Sequence, residues 1–198
     1  MNINRLRVKI ANHYYPEVID GIYGSSLIMK SKLEKDLKDE ADRITTSSEL
    51  DADEKDQMLG CLEDDYYIAE LTTELAGEMM IVALFKTVEI SIKKMAKGSG
   101  LFTQKQISSF FRVKELMSEM KNKVCDITTL PNFAEYDELR CINNSIKHNG
   151  VVDKELAKYP NWIVGQKLEN LHQHYYRLRN DVDNFVTGLQ AAILNKIP

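Results

Sequence analysis

Arg140, Asn144 and His148 recur at four-residue steps, and Asn143 and Lys147 lie beside them. On a helix of about 3.6 residues per turn these five side chains form one polar stripe. Leu139, Ile142 and Ile146 form the opposing apolar stripe. Arg140 offers a permanently charged, planar fork suited to phosphate, and an asparagine amide can hold a hydroxyl or a phosphate oxygen. His148 falls in the last turn before Asn149-Gly150, where the negative end of the helix dipole favours the imidazolium, which can donate a proton or bind an anion. An acid or base, a charge stabiliser and a positioning amide are the parts that phosphodiester cleavage requires without a metal. Acidic clusters with metal spacing are absent nearby, so neither a metal nor another cofactor is expected.

The same residues also admit a purely structural reading. A histidine before an Asn-Gly stop suits a helix C-terminus whatever the function. Asn144 has poor propensity for a helix interior, which asks for a tertiary hydrogen bond that can be structural alone. His172 and His174, among Leu171, Tyr175 and Tyr176, read as packing or surface residues, His13 has no partner in sequence, and Trp162 reads as a plug on the core.

The elements that must position this stripe are helices. Four prolines, nine glycines and no run of alternating β-branched residues give an all-α chain, a helical bundle with long central and C-terminal helices. A first helix is expected over residues 3–14, with a bend at Pro16 and a break between Gly21 and Gly24, then an amphipathic helix over 27–45. Asp51 and Glu54 form a start signal for a helical pattern that runs to Lys97. Such a helix would be about 70 Å long, so a break is expected between Gly60 and Asp65. Its second piece carries Ile68, Leu71, Leu75, Met79, Val82, Phe85, Ile92 and Ala96 as the stripe expected to face the core. Glu89 interrupts that stripe and should either reach solvent at its edge or meet a cation such as Arg140 or His148. Thr103 and Gln106 open the next helix, which carries Phe110, Phe111, Met117, Met120 and Val124. Residues 132–148 make the polar-striped helix. A final helix over 162–196 carries Leu168, Leu171, Tyr175, Leu178, Val182, Phe185 and Leu189 for the core, a dimer seam, or both.

One all-helical domain over residues 1–198 is expected from the length. The longest apolar run, Met79 to Phe85, is too short to span a bilayer, and the charged N-terminus lacks a secretory leader, so a cytoplasmic, non-membrane protein is expected. Cys61, Cys125 and Cys141 have no zinc or disulfide spacing. The first 98 residues carry 13 basic and 19 acidic side chains, and the remainder carry 13 and 11. That balance excludes a broad basic face for duplex DNA and confines any nucleic-acid contact to a local cleft.

The segment from Leu139 to Gly150 resembles the signature helix of the HEPN superfamily, all-helical domains common in prokaryotic toxins and antiviral systems. Their pattern is an Arg, often followed by a polar residue, then a His near the helix end. His148 matches the motif His and Asn144 the polar residue. The position of the motif Arg holds Asn143, and Arg140 is the nearest arginine, with seven residues between it and His148. Glu89 matches the inward polar residue that many members place near the motif. The resemblance implies metal-independent endoribonuclease activity in a toxin or defence system. In this chemistry a ribose 2′-hydroxyl attacks its own phosphodiester, His148 transfers protons, and two chains pair to share one cleft. Single-stranded RNA, a second copy and an antitoxin or other protein are the implied partners. The alternative expectation is a catalytically inactive helical RNA-binding or protein-interaction module.

Overall fold

The computed structural model describes residues 2–11 and 16–198. The described residues form an all-α helical bundle of seven α-helices: α1 (Ile3–Lys9), α2 (Pro16–Thr46), α3 (Ala52–Ser99), α4 (Gln104–Ser108), α5 (Val113–Lys123), α6 (Phe133–His148) and α7 (Leu171–Lys196). Among the described residues the β-structure is limited to an isolated antiparallel bridge between Val151 and Lys167. Helix α1 ends at Lys9, short of the expected residue 14, and His13 lies outside the described residues.

Two expected breaks do not occur. Helix α2 runs through Gly21 and Gly24, and α3 runs for 48 residues through Gly60 and Asp65. A helix-interior glycine costs only about 1 kcal/mol relative to alanine, which packing readily offsets. Along α2 that packing is supplied by buried Ile19, Tyr23 and Ile44 and by an ion pair from Asp20 to Arg179 at 2.6 Å. The Asp51–Glu54 capping box starts α3, and Gly100, left-handed at φ 73°, ends it.

At about 1.5 Å per residue α3 is roughly 72 Å long, whereas a compact domain of this size has a radius of gyration near 16 Å. The excess projects as an arm. Helix α2 folds back antiparallel along α3, with Lys30 near Glu70 (3.6 Å) and Lys55 Nζ donating to the Thr45 carbonyl (3.2 Å). Packing in the C-terminal half of α3 is provided by Met80, Ile81, Leu84, Val88, Ile92, Met95 and Ala96, all buried. The stripe expected to face the core is therefore misplaced over its first half, because Ile68, Leu71, Leu75 and Met79 face solvent while Ala69 and Ala76 are buried.

The expected helix beyond Thr103 divides into α4 and α5 at a turn over residues 109–112. Its capping box is present, and so is the α6 helix at its expected bounds. Helix α7 starts at Leu171, later than expected, because residues 159–170 form irregular chain around the bridge to Val151. Leu171, Tyr175, Leu178, Val182, Phe185 and Leu189 are buried, so the face of α7 serves the core. Trp162 is also part of the core.

Close approach and open space predict opposite effects for glycine substitutions. A Cβ on Gly98 would meet Arg7 Cβ at 3.0 Å and the Arg7 carbonyl carbon at 3.2 Å, whereas one on Gly60 meets nothing within 4 Å. Gly98→Ala is expected to lower stability by about 1–3 kcal/mol and Gly60→Ala to raise it by about 0.5–1 kcal/mol in urea unfolding.

Candidate functional site

Helix α6 places its polar residues by a simple alternation of environments. Leu139 and Ile142 are fully buried, and so are Glu138, Cys141, Asn143 and Ser145, whereas Asn144 is half-buried and Lys147 and His148 are exposed. The helix closes with the amide of Gly150, at φ 68°, donating to the Ser145 carbonyl at 2.9 Å. A left-handed residue past the end satisfies a carbonyl that would otherwise lack a partner.

Arg140 is committed within this helix. Its Nε donates to Asp137 Oδ1 at 2.6 Å and its Nη2 lies 3.2 Å from Cys141 Sγ, while the Tyr159 hydroxyl donates to Asp137 Oδ2 at 2.6 Å. Asp137 thus joins α6 to the irregular chain before α7. Burial opposes the charge on the guanidinium, but the Asp137 hydrogen bond and neighbouring charges outweigh it and raise the Arg140 pKa. Burial and then the Asp137 hydrogen bond push up the Tyr159 phenol, and burial pushes the Cys141 thiol up to about 12, so that both stay protonated near neutral pH.

His148 is eight residues further on, about 12 Å along the helix axis. Helical side chains tilt towards the N-terminus, and Arg140 reaches back to Asp137, away from the histidine. One chain does not bring Arg140 and His148 together. The side chains of Asn144 and His148 make no hydrogen bond or ion pair among the described residues, and Lys147 Nζ lies 5.8 Å from the centre of the Phe85 ring. Asn143 lies on the core side of the helix, with both amide atoms buried and unpaired, so the expected five-residue stripe loses one member. The position that the family pattern gives to arginine is an interior one in this fold. Glu89 pairs with Lys93 one turn along its own helix, at 2.6 Å, and meets neither Arg140 nor His148.

The strongest polar constellation is one that the periodicity did not single out. Glu138, buried, accepts from Trp162 Nε1 at 2.8 Å and from Arg177, whose Nη1 is 3.1 Å from Oε2 and whose Nη2 binds Oε1. Trp162 stacks on His174 with ring centres 4.3 Å apart, and the Arg177 guanidinium lies 3.3 Å from His174 Nδ1. Burial and then the adjacent Arg177 lower the pKa of His174. The signal was available in sequence: Glu138 stands four before Ile142, so it is the acid on the core side of α6 that requires partners. Every atom of its carboxylate is used, which makes this cluster a clamp between α6, the Trp162 segment and α7.

No protein-family model, curated protein or solved structure matches the chain.

Two buried polar positions on α6 predict contrasting costs. Glu138→Gln weakens the bidentate Arg177 contact and leaves a buried amide mismatched, with an expected loss of about 2–3 kcal/mol. Ser145→Ala removes a buried hydroxyl without a partner and is expected to be neutral or stabilising by about 1 kcal/mol. Chemical denaturation of the two variants beside the wild type checks both signs.

Proposed function

We propose that this chain is a catalytically inactive helical interaction module, in which Asp137, Glu138 and Arg140 of α6 serve the fold and the α2–α3 arm serves binding. The observation that carries this reading is the engagement of Arg140 by Asp137, itself held by Tyr159, which keeps the arginine from His148, two helical turns away. The burial of Asn143 supports it further, since an interior amide cannot touch a phosphate. Exposed apolar side chains on the arm supply the area that an interaction protein needs.

A second reading is favoured by one observation. Asn144, Lys147 and His148 end α6 with no ion pair among the described residues, and Lys147 and His148 face solvent, as groups must that meet an RNA phosphate. In this reading the chain is a HEPN-like, metal-independent endoribonuclease of a toxin or defence system. A homodimer would then bring the stripes of two chains to one cleft, with an antitoxin as a further partner.

Incubation of the purified chain with a labelled single-stranded RNA in EDTA separates the two. The interaction reading expects the same background with wild type and His148→Ala. Cleavage by the wild type that His148→Ala abolishes, with its helical circular dichroism intact, overturns that reading in favour of the nuclease.

A further inference from the structure

The arm carries an apolar stripe that nothing among the described residues covers. Ile68, Leu71, Leu75 and Met79 are 57%, 43%, 57% and 50% exposed, and Val82 extends the row towards the body. At about 100° per residue these side chains fall within roughly a quarter of the helix circumference, and buried Ala69, Ala76 and Met80 lie roughly 100–140° round the helix from the centre of the stripe. Cys61, Ile68, Leu75 and Val82 stand seven residues apart, the repeat of a seam that receives another helix.

The charge around the stripe identifies what kind of helix. From Gly60 to Phe85 the sequence has no basic residue and six acidic ones, Glu63, Asp64, Asp65, Glu70, Glu74 and Glu78. Glu78 borders the stripe, Glu74 lies about 60° beyond its edge, and Glu63 and Glu70 stand further round α3 on the same side. Glu70, Glu74 and Glu78 also line a groove of about 260 Å³ where the arm meets the body, on the side of α3 turned away from the stripe, together with Glu169 and with Lys30, which lies 3.6 Å from Glu70. Lys167 reaches Glu74 from the body at 2.9 Å, in an exposed pair. Glu63, Asp64, Asp65 and Glu78 have no ion pair among the described residues.

We infer that the outer face of α3 receives a basic amphipathic helix from another protein, whose apolar stripe packs on Ile68, Leu71, Leu75 and Met79 while its Lys or Arg flank meets Glu74 and Glu78, the carboxylates that stand nearest the stripe on its flank. This partner rests on the interaction reading above and gives it a chemistry. A second copy paired antiparallel fits poorly, because its two-fold axis sets carboxylates against carboxylates, and the oligomeric state tests the parallel arrangement. Anionic lipid and nucleic acid meet the same repulsion. The span from Cys61 to Val82 corresponds to a partner helix of about six turns.

The test uses the full chain and a fluorescein-labelled amphipathic peptide of about 18 residues made of Leu and Lys at helical spacing, read by anisotropy. Saturable binding is expected below roughly 100 μM, weakened about tenfold or more by Leu71→Ser/Leu75→Ser and by replacing each peptide Lys with Glu. Both substituted leucines are exposed, so the variant keeps its fold, which circular dichroism checks. Absence of saturable binding overturns the inference. So does equal binding by the double variant or by the acidic peptide. A dimer mass in light scattering that the double variant reduces to monomer overturns it as well, in favour of a second copy. Loss of peptide binding without RNA cleavage removes this partner and leaves the interaction reading standing; His148-dependent cleavage removes that reading whatever the peptide does.

Discussion

The length of α3 constrains everything else in this structure. A continuous helix of 48 residues is too long for the body that its own chain can build around it. Its C-terminal half has enough neighbours to bury Met80, Ile81, Leu84, Val88, Ile92 and Met95. The N-terminal half has α2 alongside it, and one neighbour can cover only one side. Small residues at Ala69 and Ala76 fill the covered side, which leaves the larger Ile68, Leu71 and Leu75 outward. An exposed apolar face is thus the geometric consequence of an uninterrupted helix.

On α6 a similar division separates structural from free groups. Glu138 and Asp137 each hold a cation and an aromatic hydrogen-bond donor, one through Arg177 and Trp162, the other through Arg140 and Tyr159. These neighbouring carboxylates fasten the chain between α6 and α7, a stretch that contributes little regular structure of its own. Buried charges are tolerated when both oxygens are occupied, and here they are. The free groups are confined to the last turn.

Much of the fold could be read from local rules. The capping boxes at Asp51 and Thr103, the Asn-Gly stop after α6 and the apolar face of α7 all depend on residues within a turn of one another, and all are present. The structure departs from these local rules where tertiary packing decides. Gly60 and Gly21 to Gly24 carry break signals too weak to end a helix, and apolar periodicity at Ile68 to Met79 marks a face without saying whether this chain covers it. For the polar stripe, spacing placed Arg140, Asn144 and His148 on one helix, but it did not contain the Asp137–Tyr159 bond that commits the arginine or the burial of Asn143. Those depend on a segment some twenty residues later and on the opposing helices, which no local pattern encodes.

Arg140 belongs to the fold through Asp137. A double-mutant cycle on unfolding free energy, with Arg140→Gln, Asp137→Asn and the pair, measures it most directly. Each single change is expected to be destabilising and the two to be coupled by about 1–2 kcal/mol, since both side chains are largely buried and hydrogen-bonded. Additive effects near zero would contradict it, and would return Arg140 to the set of groups free to meet a substrate.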